Sequence, residues 1–238
     1  MDICTENGFL GAEQTPQNMS LKLIESSPFP GEFNMAVDVL LTGRVADTGI
    51  PHLRFYRWSE PTVSVGSSVP ASSAFGAAVM YPGSNLCKRP TDGGIVYHGD
   101  QMSFSLIWPL DFPRFRDLRE SYFTIHQFVQ RALTEFGIES TQASESDPDG
   151  GILCSASIVA GDLLADQGTK LLGGALWRSA GAVLYQGHLW LKWMPMLEEA
   201  IAFALADMMG LQMEASPLIQ SDLDAATEES AKWRLQIG

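Results

Sequence analysis

The stretch "KRPTDGGIVYHGDQMSFSL", residues 88–106, sets the reading of this chain. Two cations, Lys88 and Arg89, precede Thr91-Asp92-Gly93-Gly94; His98 and an alternating run follow. A glycine pair lets the backbone turn sharply and approach a ligand closely, and successive amide N–H groups form a small electropositive nest. The segment is not a P-loop, because no Gly-Lys-Ser/Thr follows and no helix opens there. It is not a dinucleotide-binding turn either. Two readings fit it. One is a cradle for a carboxylate or phosphate with Arg89 at its edge; the other is a plain hairpin loop with solvated cations.

Outward from this stretch, "MSFSLIW" (102–108) alternates with period two and reads as a strand ending at Pro109. Upstream, "HLRFYRW" (52–58) and "TVSVGS" (62–67) alternate too, with Ser59-Glu60-Pro61 between them. They predict two strands joined by a short turn. In "FNMAVDVLLTGRV" (33–45), Phe33, Val37, Leu40 and Leu41 share one helical face. Downstream, Leu118, Tyr122, Ile125, Val129, Ala132 and Phe136 form the stripe of a helix over 117–136, which Gly137 stops. "SESDPDGG" (144–151) is a polar loop, strands follow over 170–178 and 182–193, and a helix over 196–209 ends at Gly210. Beyond lies a polar, acidic segment with one short apolar patch near Pro217. The pattern predicts an α+β fold with mixed, mostly antiparallel sheets flanked by helices. It divides the chain into a flexible N-terminal arm (1–20), one main domain (21–215) and an acidic C-terminal tail (216–238).

Composition bounds the function. The 238 residues are 45% hydrophobic and 18% charged, enough for one well-filled core. A net charge of −13 argues against nucleic acid and against anionic membrane surfaces. No apolar run reaches the ~18 to 20 residues of a membrane helix, and the acidic start "MDICTENGFLGAEQ" does not read as a signal peptide. Cys4, Cys87 and Cys154 show neither metal nor disulfide spacing, so a reducing cytoplasm is expected. His52 and His188 lack a second ligand at metal spacing, and no metal site is expected. His126 reads as a partnered histidine on the long helix.

Three further segments carry candidate chemistry. In "DQGTKLLGGALWR" (166–178), Asp166-Gln167-Gly168 reads as a hairpin turn. Lys170 then lies on a strand among apolar neighbours, where it either snorkels to water or is held for a charged ligand. In "GGILCSAS" (150–157), Cys154 is either an inert small hydrophobe or a nucleophile whose thiolate is stabilised by a cation such as Lys170. In "YQGHLWL" (185–191), Gly187 sits inside a strand, a position that lets a ligand approach the backbone.

The order and spacing of these segments resemble the lipoate-protein ligase A and octanoyltransferase group of the biotin/lipoate protein ligase superfamily. "NMAVDVLL" resembles the family's Asn-x-Ala-x-Asp-x-x-Leu helix, and "LRFYRWSEPTVSVG" its Leu-Arg-Phe-Tyr-x-Trp…Pro-x-Val-Ser-Leu-Gly strands. "KRPTDGGIVYH" is similar to Arg-Arg-Pro-Thr-Gly-Gly-Gly-x-Val-x-His, and "CSAS" to the Cys-Phe-x-Ser segment of the octanoyltransferase branch. "KLLGGALWR" is similar to Lys-Ile-x-Gly-x-Ala-Gln-x-Arg, and "VLYQGHLWL" to the late Gly-Ser/Thr segment. The matches span about residues 33–191.

The resemblance implies that residues 21–215 form a catalytic domain handling octanoyl or lipoyl groups. It implies that Arg89, Thr91, Gly93, Gly94 and His98 line the acyl or acyl-adenylate site. Gly173 and Ala175 would let the ligand lie against the strand. Lys170 would contact the activated acyl carbonyl or phosphate, and Cys154 would be the acyl-thioester nucleophile. The acceptor would be a lysine of a lipoyl domain of a 2-oxoacid dehydrogenase or of the glycine cleavage H protein. Three activities stay open. A transferase would take its acyl group from an acyl carrier protein and need no cofactor. A lipoate-protein ligase would use ATP and Mg²⁺ and proceed through lipoyl-AMP. A relative that binds acyl groups or carriers without catalysis is the third.

Two departures stand out. Asp92 replaces the first glycine of the family's triplet, and a carboxylate beside a phosphate would repel it. The chain also ends without the extra C-terminal domain of larger lipoate ligases, so a ligase would need a separate partner chain. Two spatial expectations follow. Lys170, Cys154 and Gly93–Gly94 face one cleft, and Lys88, Arg89, Lys170 and Arg178 cluster as a basic patch for an acidic acceptor.

Overall fold

The computed structural model describes residues 19–235, so the expected arm over residues 1–20 lies almost wholly outside the described residues. In chain order the elements are β1 (Ser20–Glu25), α1 (Gly31–Thr48), β2 (His52–Tyr56), β3 (Thr62–Val65), α2 (Ala71–Met80), β4 (Asn85–Lys88), β5 (Ile95–His98) and β6 (Gln101–Pro109). There follow α3 (Leu118–Glu135), β7 (Thr141–Gln142), β8 (Leu163–Leu164), β9 (Lys170–Arg178), β10 (Ala182–Lys192), α4 (Pro195–Met209), β11 (Gln212–Pro217) and α5 (Gln220–Ser230). Eight strands form one sheet in the order β11-β1-β2-β6-β10-β9-β8-β7, and β4-β3-β5 form a second. In the large sheet β1 is parallel to β2 and β11, and the other neighbours are antiparallel. The α+β fold class expected from the sequence is the one observed.

Period two decides which side chains reach the site. Along β6, Met102, Phe104, Leu106 and Trp108 enter a core completed by Ile125 and Val129 of α3 and Ile201 and Leu205 of α4. Ile107, on the other face, packs with Val37 and Leu41 of α1. Along β10, Val183, Tyr185 and Leu189 join the first core, while Leu184 joins the second. Five further residues of that second face are polar: Arg54, Ser103, Ser105, Gln186 and His188. All five are buried. A polar strand face ordinarily meets water; here α1 and the small sheet roof it.

The anchor of this polar face is an ion pair. Arg54 donates to Asp38 at 2.8 Å, and both side chains are fully buried. Ser105 Oγ (2.9 Å) and Gln186 Nε2 (2.7 Å) also donate to the Asp38 carboxylate. The motif residues of α1 therefore hold the sheet rather than touch the cavity. Asp38→Ala leaves the Arg54 cation buried without its counter-charge, at an expected cost of about 3–5 kcal/mol. Urea denaturation checks this; a loss under about 1 kcal/mol contradicts the role.

Three expectations need correction. The segments over 52–58 and 62–67 are strands, but they belong to different sheets and do not pair. Both edges of β2 are taken, by β1 and β6, and the chain is drawn aside where Asn34 Nδ2 bonds the carbonyls of Phe29 and Arg57. The glycine stretch is not a hairpin loop, because β3 lies between β4 and β5, so residues 89–94 cross the end of β3. The acidic C-terminal segment is largely structured. β11 pairs with β1 over six residue pairs, α5 buries Ala226 beside α1, and Arg234 pairs with Glu32. With Ala226 as the buried residue of α5, no apolar stripe marks that helix. Its acids serve locally: Asp222 accepts from the Ile219 amide at 3.0 Å and pairs with Arg44.

Candidate active site

The loop over 89–94 is shaped from within by Arg89. Its guanidinium is buried and donates to the Ser64 carbonyl (3.0 Å), Ser64 Oγ (2.7 Å), the Asp92 carbonyl (3.3 Å) and the Gly94 carbonyl (2.8 Å). The glycines make room for protein, not only for ligand. A Cβ on Gly94 would lie 2.1 Å from the Ile152 carbonyl oxygen, and Gly93 has φ +96°. Asp92 turns its carboxylate away, accepting from the Ser68 hydroxyl and, at 3.2 Å, from the Ser68 amide. Those bonds, the hydroxyl foremost, hold its pKa below the ordinary carboxylate value. Thr91 faces inward and donates to Gln186 Oε1 at 2.7 Å, linking the loop to Asp38.

Against this turn lies the loop bearing Cys154. Ile95 of β5 donates to the Ile152 carbonyl at 2.8 Å and accepts from the Cys154 amide at 2.9 Å. The half-buried thiol is free. Lys170, at the start of β9, reaches it: Nζ lies 4.0 Å from Sγ. The same ammonium contacts the Ser157 carbonyl and pairs with Asp162 at 2.6 Å, both side chains 1% exposed. Asp162 is fixed in turn by the Tyr122 hydroxyl (2.6 Å) and the Val159 amide (2.8 Å), and Tyr122 accepts from the Gly174 amide at 3.0 Å. A Cβ on Gly173 would sit 3.2 Å from Lys170 Cδ, so the bare glycine gives the lysine its path.

Cys154 lines a small cavity of about 30 Å³. Arg89, His98, Gly173, Ala175 and Gly187 also line it, as do Trp58, Ser103 and His188. Lys170, Cys154 and the Gly93–Gly94 turn thus converge in one place; Thr91, Gly93 and Gly94 shape the loop rather than the cavity wall. Gly187 has a further cause: a Cβ there would lie 2.7 Å from the Phe104 ring. The expected basic patch is not formed. Arg89 and Lys170 are buried. Arg178 is at the opposite end of β9, about 26 Å along the strand from Lys170 at ~3.3 Å per residue. His126 is partnered as expected, with Nε2 2.7 Å from the Tyr185 hydroxyl.

Sequence reasoning missed Asp162, Tyr122, Ser64, Ser103, Trp58 and Gln186. Asp162 offered a signal: a lone carboxylate one turn-and-strand ahead of Lys170, in the otherwise apolar "GDLLA". The hydroxyls offered none, since serine in an alternating strand ordinarily faces water.

All four histidines of the chain are buried. Burial is the chief cause that lowers His52 and His126 to about 4 and His188 to about 3, with His98 also well below 6.5. Below pH 6.5 the unfolded chain binds protons at these rings and the folded chain does not. Stability therefore falls as pH drops from 6.5 towards 4, by roughly 1.4 kcal/mol per unit for each ring held neutral. Thermal melts between pH 7 and 5 test this; a midpoint unchanged over that range contradicts it.

The family model for the Lipoyl protein ligase A/B catalytic domain matches residues 30–204. The chain belongs to this family. It is 29% identical over 170 residues to an octanoyltransferase LipM from Oceanobacillus iheyensis, covering 70% of this chain and 62% of that one. It is 29% identical over 175 residues to the LipM of Carboxydothermus hydrogenoformans, covering 72% and 65%. The match thus spans under two thirds of these relatives. A bipartite lipoate protein ligase from Thermoplasma acidophilum shares the fold, with a TM-score of 0.70 at 16% identity over 90% of this chain and 92% of that one. Among the described residues no helix is long and apolar enough to cross a membrane.

Proposed function

We propose that this protein moves an octanoyl or lipoyl group from a carrier-protein thioester to one lysine of a lipoyl domain or H protein, through a thioester on Cys154. The observation that carries the reading is the Lys170 ammonium 4.0 Å from the sulfur of Cys154, which lines a narrow cavity. In the first step Cys154 sulfur attacks the donor's carbonyl. The new C–S bond forms, the donor's C–S bond breaks, and the carrier leaves as a thiol with the Cys154 proton. In the second step the acceptor amine attacks the acyl-Cys154; the C–N bond forms, the C–S bond breaks, and the amine's proton restores the thiol. Lys170 stabilises negative charge on sulfur and on the carbonyl oxygen, and Asp162 holds it in place.

The ligase alternative is less well supported. Arg89 spends its donors on Ser64 and on the carbonyls of Asp92 and Gly94 rather than on a phosphate. The relatives named octanoyltransferase LipM favour transfer. A thiol nucleophile also calls for a reducing compartment such as the cytoplasm.

Octanoyl carrier protein and a lipoyl domain, incubated with the enzyme with and without ATP and Mg²⁺, test the reading. Equal modification of the domain in both tubes is expected. Modification that requires lipoate and ATP replaces transfer by ligation. Binding of the lipoyl domain without modification in either tube replaces it by a carrier-binding role.

A further inference from the structure

The neighbours of the Tyr122 hydroxyl fix the direction of its hydrogen bonds. A backbone N–H can only donate, so the phenol oxygen accepts from the Gly174 amide at 3.0 Å. Its single proton therefore goes to Asp162 Oδ1, 2.6 Å away. Burial above all holds the phenol's pKa well above its ordinary value, so that proton stays on oxygen. The other carboxylate oxygen is taken. Asp162 Oδ2 accepts from the Val159 amide at 2.8 Å and pairs with the Lys170 ammonium at 2.6 Å. Asp162 and the Ser157 carbonyl occupy two of the ammonium's three N–H bonds, which leaves one for the Cys154 side, where Sγ lies 4.0 Å from Nζ.

The fold seats the ring for this task. Gly161, the residue before Asp162, has φ +99°, and a Cβ on it would lie 2.9 Å from the Tyr122 ring. β8 accompanies β9 only as far as Leu172, so the N–H of Gly174 is met by the phenol and not by a strand. Tyr122 comes from α3, Asp162 stands just ahead of β8, and Lys170 opens β9. All three are buried.

We propose that Tyr122 is a positioning residue: its O–H, by holding Oδ1 of Asp162, keeps that carboxylate from drawing the Lys170 ammonium off the Cys154 sulfur. This deepens the acyl-thioester reading above and rests on it. A buried carboxylate oxygen stripped of its donor is costly, and the nearest remaining donor satisfies it. In Tyr122→Phe that donor is the Lys170 ammonium. Oδ1 turns to it, and the charge that steadies the thiolate and the carbonyl oxygen is pulled aside. A role confined to capping Gly174 would act on the fold and not through the ion pair.

The test measures acylation of Cys154 by octanoyl carrier protein, by intact mass, over a range of donor concentrations. Tyr122→Phe is expected to lower the rate at saturating donor about tenfold and to leave the half-saturating concentration unchanged. The same substitution is then added to Lys170→Met, Asp162→Asn, where the pair it acts through is gone. There it is expected to slow acylation by less than about twofold. A wild-type rate in folded Tyr122→Phe overturns the proposal, as does a raised half-saturating concentration with the saturated rate kept. An equal factor in both backgrounds overturns it too, and assigns the phenol to Gly174 alone. No adduct on wild type removes the acyl-thioester reading, and this one with it. Should Tyr122→Phe fail to fold, the double and triple variants decide: equal rates uphold the proposal, and a triple variant slowed about tenfold overturns it.

Discussion

Cys154→Ser is expected to reduce acyl transfer to a lipoyl domain by on the order of 10³-fold or more while leaving the fold intact. The reduction follows from chemistry. A serine hydroxyl is a far weaker nucleophile than a thiolate, and an ester left on serine is a poorer acyl donor to an amine than a thioester. The intact fold follows from geometry. The loop is held by backbone bonds at Ile95, 2.8 and 2.9 Å long, which serine keeps. The half-buried sulfur makes no bond that the core depends on, so the stability change is expected within about 0.5 kcal/mol. Steady-state transfer and a thermal melt on the same preparation check both halves. Wild-type transfer by a folded Cys154→Ser would leave the thiol without a part in the reaction.

Lys170 presents a harder separation, because one ammonium serves both structure and chemistry. Lys170→Met alone leaves Asp162 as a buried, uncompensated carboxylate and is expected to cost about 3–5 kcal/mol. Lost activity there would prove little. The double variant Lys170→Met, Asp162→Asn removes both charges; its one amide oxygen can accept from the Val159 amide while its NH2 donates to the Tyr122 oxygen, and the protein is expected to fold. Its acylation of Cys154 is expected to drop by on the order of 10²- to 10³-fold, the loss of one preorganised positive donor at the reacting carbonyl. Stopped-reaction mass spectra give the rate. A folded double variant that acylates as fast as wild type would reduce Lys170 to a structural cation.

Local pattern carried much of this architecture. The stripe from Leu118 to Ala132 marked α3, and the alternation of "MSFSLIW" marked β6, because each element's buried face is set by its own period. The pairings were not legible. Nothing local in "HLRFYRW" says that β2 lies between β1 and β6 instead of beside β3, since strand partners are chosen by contacts distant in sequence. The helix α5 hid for the opposite reason: it buries too little to leave a stripe.

The site divided in the same way. Cys154, Lys170 and the glycine turn stood out as chemically unusual residues among ordinary neighbours, and they meet. Their supports did not stand out. Ser64 and Ser103 look like solvent-facing positions until the small sheet, which carries Ser64, meets the large one, which carries Ser103, and Asp162 acquires its partner only when β9 returns past it. Asp92 shows the converse. Its identity suggested conflict with an anion, yet its direction, towards Ser68, is a backbone matter that composition does not carry.

The central claim is that the sulfur of Cys154 becomes acylated without nucleotide. Intact mass spectrometry of the protein after brief exposure to octanoyl carrier protein, with ATP and Mg²⁺ omitted, addresses it directly. The account predicts one added octanoyl group on wild type, removed by neutral hydroxylamine and missing from Cys154→Ala. An unmodified wild-type mass, or an equal adduct on Cys154→Ala, would contradict it.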